Sequence, residues 1–149
     1  MSLKERLMED MKQAMKDKEA GKFRLSVVRM ARSAVQKVEI DKRRDLTEEE
    51  TIDVLAREVK QRRDSIAEYE KAGRSDAVEA LKQEITLLTA YLPQQLSEEE
   101  VRALVREAVT VTGAQSPKDM GKVMGVLMPK VKGRADGKLV NQIVKELLG

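Results

Sequence analysis

The chain has 149 residues, 41% hydrophobic and 37% charged, and its 29 basic and 26 acidic side chains leave a net charge of +3. It contains neither cysteine nor histidine, which excludes disulfides, thiolate nucleophiles and metal sites built on those ligands, and removes the usual general base near neutral pH. Aromatic residues are limited to Phe23, Tyr69 and Tyr91; that scarcity, with abundant Ala, Leu, Lys, Glu and Met and only three prolines, predicts an all-α protein.

The opening segment is charged and amphipathic over residues 1–16, unlike a secretory signal peptide, and no apolar run reaches the ~18–20 residues that cross a bilayer. A cytoplasmic protein without membrane partners is expected. Ser2 and Glu5 fit a capping box, in which each side chain satisfies the other residue's free amide. The helix they open carries Leu3, Leu7, Met11 and Met15 and is expected to end near Ala20-Gly21. A second helix runs from about Lys22 to the basic segment at 41–45, with Phe23, Val27, Met30, Ala34 and Val38 as its predicted apolar stripe.

Thr47 and Glu50 repeat the box and open the longest helix, 48–72, with a seam of Ile52, Leu55, Val59, Ile66 and Tyr69 that Arg62 is expected to interrupt. Gly73 is a natural stop. Ser75 is read as the cap of a fourth helix bearing Val78, Leu81, Ile85, Leu88 and Leu92. These elements predict a helical hairpin bundle over residues 1–92, expected to be a monomer. Pro93 breaks the run, and YLPQQLSEEE marks a joint.

A small three-helix domain is predicted over 97–149. Ser97 and Glu100 form a third capping box, followed by Val101, Leu104, Val105 and Ala108, and Gly113 ends that helix. Ser116-Pro117 is read as a cap with proline in the first turn, opening a helix whose Met120, Val123, Met124, Leu127 and Met128 face the core. Asp136 is expected to cap the last helix, with Leu139, Val140, Ile143, Val144, Leu147 and Leu148 inward.

Few residues invite a chemical role. The triplets Glu48-Glu49-Glu50 and Glu98-Glu99-Glu100 lie in first helical turns, where the dipole favours negative charge; no catalytic residue, metal site or cofactor is assigned. Gly121 and Gly125, one turn apart, are read with Gly133 as close-packing glycines. Residues 113–149 hold seven basic side chains against three acidic ones, +4 where the whole chain is +3. Lys132, Gly133, Arg134 and Lys138 surround the amino end of the last helix, where free amides would favour a phosphate. Lys118 and Lys122 begin the helix before it.

The motifs Tyr91-Leu92-Pro93-Gln94-Gln95-Leu96, MGKVMG, KGRADGK and VNQIV resemble those of the YqeY family. The tail resembles the carboxy-terminal domain of the B subunit of the glutamine-dependent aspartyl/glutamyl-tRNA amidotransferase. The resemblance implies a helical amino-terminal domain and a three-helix tail that helps hold transfer RNA while catalysis occurs elsewhere. On that reading Lys118, Lys122, Lys130, Lys132, Arg134 and Lys138 are the candidate phosphate contacts. The partners are tRNA and a tRNA-dependent amidotransferase or an aminoacyl-tRNA synthetase. Two alternatives stay open: an amidotransferase accessory, a carbon–nitrogen ligase with glutamine as amide donor that uses a partner's active site, and a protein-interaction bundle that binds no RNA.

Overall fold

The computed structural model describes residues 1–149, and its only regular elements are helical. They are α1 (Leu3–Lys16), a 3₁₀ turn (Lys18–Gly21), α2 (Lys22–Lys42), α3 (Glu48–Lys71), α4 (Ser75–Thr89), α5 (Glu98–Thr112), a second 3₁₀ turn (Pro117–Asp119), α6 (Met120–Val131) and α7 (Gly137–Leu148). The chain divides into two compact units, Met1–Leu92 and Pro93–Gly149.

In the first unit, two helical hairpins share one core. Leu3 and Leu7 of α1 meet Val27, Val28 and Ala31 of α2, Leu55 and Val59 of α3, and Leu88 and Tyr91 at the end of α4. Both long hairpins start from capping boxes that close in the expected way. The Glu5 and Glu50 amides donate to Ser2 Oγ and Thr47 Oγ1 at 3.1 and 3.2 Å, and each glutamate accepts from the cap amide in return. Tyr91 anchors the end of the unit: its hydroxyl donates to Asp10, and the Arg6 guanidinium lies 5.0 Å from its ring centroid. Burial and the Asp10 carboxylate push the Tyr91 hydroxyl well above the usual phenol range.

Several boundaries and faces differ from expectation. Helix α1 stops at Lys16, four residues short of Ala20, because Lys18 takes a left-handed φ of 51° and the chain tightens into a 3₁₀ turn. That turn delivers Gly21 against α1 so closely that a Cβ there would lie 2.2 Å from the Ala14 carbonyl oxygen. The buried stripe of α2 is Val27, Val28, Ala31 and Val35, rotated from the predicted one; Phe23 and Met30 are 40% and 43% exposed. Ser75 is the first residue of α4 rather than its cap, since Arg74 holds the cap position without a side-chain bond. Gly73, at φ 70°, reverses the chain so that the Arg74 amide reaches the Tyr69 carbonyl at 2.9 Å.

Arg62 does not interrupt the seam of α3; it is buried in it. Its Nε lies 3.3 Å from Glu84 of α4, and its Nη1 donates to the Glu58 carbonyl at 2.9 Å and lies 3.6 Å from the Glu58 carboxylate. A buried guanidinium needs such partners because its desolvation is costly. Truncation would strand Glu84 beside an apolar seam, so Arg62→Ala is expected to cost about 3 kcal/mol in urea unfolding.

A second electrostatic node ties α1 to the α2–α3 turn. Glu39 accepts from Lys4 Nζ at 2.6 Å and from the Leu46 amide at 2.9 Å, and these bonds hold its carboxyl below the ordinary glutamate value. Glu50 is lowered likewise, chiefly by Arg44 and then by Lys42. The folded state therefore binds fewer protons than the unfolded chain in the acid range, so this stabilisation is complete above the unfolded pKa of ~4.3 and fades as pH falls below it. The melting temperature is expected to drop between pH 6 and pH 3. Glu39→Gln should be less stable than the parent at pH 6, with the gap closing by pH 3.

The second unit has its own core. Val101, Val105 and Ala108 of α5, Val123, Leu127 and Val131 of α6, and Val140, Ile143, Val144 and Leu148 of α7 are all buried. Ser97 and Glu100 close the third capping box, and Gly113 ends α5 at φ 67°. Ser116 precedes the 3₁₀ turn in extended conformation but makes no capping bond; the Asp119 carboxylate instead accepts the Gln115 amide at 3.0 Å.

Candidate nucleic-acid interface

Helix α6 presents one buried and one open face. Val123, Leu127 and Val131 point inward, whereas Gly121, Lys122, Gly125 and Pro129 are exposed, as is Lys118 in the preceding turn. The glycines do not pack closely as expected. A Cβ at Gly121 or Gly125 would meet nothing within 4 Å, because both lie on the side of the helix away from α5 and α7. Two glycines in a helix cost stability without packing in return; what they leave is bare backbone beside Lys122.

The six basic candidates do not form one cluster. Lys118 and Lys122 stand at the amino end of α6, while Lys130 lies about 12 Å further along the axis from Lys122 at ~1.5 Å per residue. Lys130 Nζ is 3.6 Å from Glu107 of α5, an exposed pair. Arg134 is committed to backbone: Nε donates to the Gln94 carbonyl at 3.2 Å and Nη1 to the Lys130 carbonyl at 3.4 Å. The same turn receives the Leu96 amide on the Arg134 carbonyl at 2.8 Å and the Gln95 side chain on the Gly133 carbonyl at 2.9 Å. Arg134 and Gly133, the latter at φ 73°, thus clamp residues 94–96 onto the α6–α7 turn. Lys132 and Lys138 also have interactions within the fold.

The amino end of α7 is not an open phosphate cradle. Asp136 is its cap, and its carboxylate accepts the Lys138 amide at 3.1 Å, which places a negative charge where an anion would have to sit. The Gln115 amide, with help from Lys122, holds the Asp119 carboxyl below its usual range. What remains as an outward cationic surface in this unit is centred on Lys118, in the turn before α6, and Lys122 at its start, with the Asp119 carboxylate beside Lys122. No group of three or more acidic side chains is placed to hold a metal ion.

Charge counted over 113–149 alone passed over the first unit. Residues 22–38 contain five basic side chains and no carboxylate, and Lys22, Arg29 and Lys37 among them are exposed on α2. The signal was available as a gap in the acidic residues. Beside α2, a groove of about 550 Å³ opens between α1 and α2 over Leu7, Met8 and Val35, with Arg32 on its wall. Arg32 Nη1 lies 3.0 Å from the Met11 sulfur.

A family model for Yqey-like protein matches residues 4–148. The chain belongs to the YqeY-like family. It is 36% identical over 136 residues to "Altered inheritance of mitochondria protein 41, mitochondrial" of Kluyveromyces lactis, covering 89% of this chain and 68% of that protein. The protein of the same name from Pyrenophora tritici-repentis is 27% identical over 97% of this chain and 80% of its own length. The E subunit of the glutamyl-tRNA(Gln) amidotransferase of Thermococcus sibiricus is 40% identical over 62 residues, 42% of this chain but 9% of that protein. These relatives overturn the cytoplasmic expectation, since the fungal proteins are mitochondrial by name. Composition and charge do not separate one aqueous compartment from another. No helix is long and apolar enough to cross a membrane.

The open glycine face makes a direct prediction. Gly125→Ala should stabilise the protein by about 0.5–1 kcal/mol in chemical unfolding. A loss of stability would mean that α6 is packed on this side.

Proposed function

We propose that this protein is a non-catalytic module that binds transfer RNA through the open face of α6, with Lys118 and Lys122 neutralising backbone phosphates. The observation that carries the reading is an exposed α6 face bearing Lys122 next to two glycines whose Cβ positions are empty, with exposed Lys118 in the turn that precedes it. A smooth backbone surface lets a phosphate chain approach closely, and the lysines supply the charge. Such contacts position an RNA without reading its sequence. The likeness to part of a glutamyl-tRNA(Gln) amidotransferase supports a tRNA ligand; because it spans 9% of that relative, it brings no reaction with it. The chain has no histidine or cysteine, and its perturbed carboxylates lie in caps and ion pairs of the fold.

The roles of the other candidates divide on this reading. Lys130, Lys132 and Lys138 contribute to the field around the site, whereas Arg134 holds the α6–α7 turn in place. A tRNA-dependent amidotransferase or an aminoacyl-tRNA synthetase is the protein partner that would use a tRNA positioned in this way.

The test is anisotropy with labelled bulk tRNA across a salt series, for the parent and for Lys118→Glu/Lys122→Glu. The double variant is expected to bind at least tenfold more weakly and to show a shallower salt dependence, by about one unit of log–log slope per lost contact. Parent-like affinity and slope in a folded double variant would overturn the assignment.

A further inference from the structure

The longest stretch of the chain without a carboxylate is residues 20–38, of which 22–38 lie in α2, and the next longest is 120–135, which contains α6. In a chain where 26 of 149 residues are acidic, 17 consecutive positions would ordinarily hold about three such residues, and charge blocks of one sign are read as interaction surfaces. The five basic residues of the α2 stretch point two ways. Arg24 pairs with Asp17 at 3.1 Å, and Arg32 turns to Met11 beside the α1–α2 groove.

The other three, Lys22, Arg29 and Lys37, recur at seven- and eight-residue spacing, two helical turns each, and all are exposed. That face lies opposite the buried Val27, Val28, Ala31 and Val35. The ion pairs of α2 are made by other residues, Arg24, Glu39 and Lys42. Glu39, the first carboxylate after the stretch, turns away to Lys4 and the Leu46 amide, and the exposed Glu19 and Asp41 bound the ladder at its two ends. At ~1.5 Å per residue the ladder runs about 22 Å in a straight line.

We propose that this ladder is a second RNA-contacting surface, on which Lys22, Arg29 and Lys37 track a phosphodiester backbone. It deepens the RNA-binding reading, on which its choice of ligand rests, but places a contact in the unit that the reading does not use. The face suits a polyanion better than an apolar partner. Protein interfaces are anchored by buried apolar or aromatic groups at their centre, and here the centre is Ser26, Arg29 and Ser33, all exposed. Phosphate contacts require only charge and reach. A bilayer is the poorer fit: Phe23 and Met30, flanking the ladder, are more than half covered by the protein, α2 is held by its buried stripe, and Ile40, 74% exposed just beyond Lys37, is a single apolar group rather than an apolar face.

The experiment uses the full chain in three forms besides the parent: Lys22→Glu/Arg29→Glu/Lys37→Glu, Lys118→Glu/Lys122→Glu, and the two sets combined. Circular dichroism melts verify folding, and Lys22→Gln/Arg29→Gln/Lys37→Gln replaces the first set should charge reversal unfold the protein. Probes are bulk tRNA, poly-L-glutamate, and vesicles of phosphatidylserine with phosphatidylcholine, across a salt series. The α2 variant is expected to bind tRNA at least tenfold more weakly with a log–log salt slope reduced by two to three, and the combined variant to lose binding further. Parent-like tRNA binding by the α2 variant would overturn the proposal while leaving the α6 reading to stand or fall by its own variant. Loss in the α2 variant with no change in the α6 variant would support this surface and contradict the α6 one. Binding of vesicles or polyglutamate as tight as that of tRNA, lost in the same α2 variant, would overturn the choice of RNA.

Discussion

The placement of carboxylates governs this protein. Each acidic side chain in a first helical turn or across a helix pair fixes a local geometry: Glu5, Glu50 and Glu100 close capping boxes. Glu39 ties α1 to the α2–α3 turn, and Glu58 and Glu84 neutralise Arg62 inside the seam of α3. Aliphatic packing builds both cores, and these bonds fix where the helices start and how neighbouring helices are tied. The consequence is a division of labour. The stretches without acids, in α2 and α6, contribute buried residues to the two cores and leave Lys22, Arg29, Lys37 and Lys122 exposed on their outer faces.

On the proposed reading, fold and function are linked through electrostatics rather than through a cleft. An exposed lysine in a mixed-charge surface is screened by its neighbours, while one on a carboxylate-free face adds to a field that a polyanion meets as a whole. On α6 the effect is sharpened by Gly121 and Gly125, which keep the surface flat beside Lys122. The glycines are better explained by what lies outside the helix than by anything within the unit, where no neighbour approaches them. Arg134 illustrates the opposite case: a basic residue within the same charged stretch whose Nε and Nη1 donate to the carbonyls of Gln94 and Lys130.

Much of the fold could be read in the sequence because helix signals are local. Three capping boxes, the stop at Gly113 and the break at Pro93 depend on neighbours within a few residues. What escaped was decided by tertiary context. Met30 and Phe23 fit an apolar stripe as well as Val28 and Val35 do, and only packing against α1 and α3 selects the latter pair. Arg62 looked like a defect until Glu84 arrived from another helix. Ser75 lost its cap because Gly73 set the reversal one residue earlier. For the candidate interface, the sequence located the basic residues of the tail but not which of them are engaged. Asp136 was legible as the α7 cap, and its carboxylate on the Lys138 amide stands where the same sequence suggested a phosphate.

The central proposal is that outward lysines and arginines on surfaces poor in carboxylates meet RNA phosphates, and the salt dependence of the parent protein's affinity for bulk tRNA tests it most directly. Neutralisation of five phosphates by Lys118, Lys122, Lys22, Arg29 and Lys37 predicts that log affinity falls linearly with log salt, with a slope of about −3.5 to −4.5. Absence of binding at low salt, or binding with a slope near zero, would contradict the account.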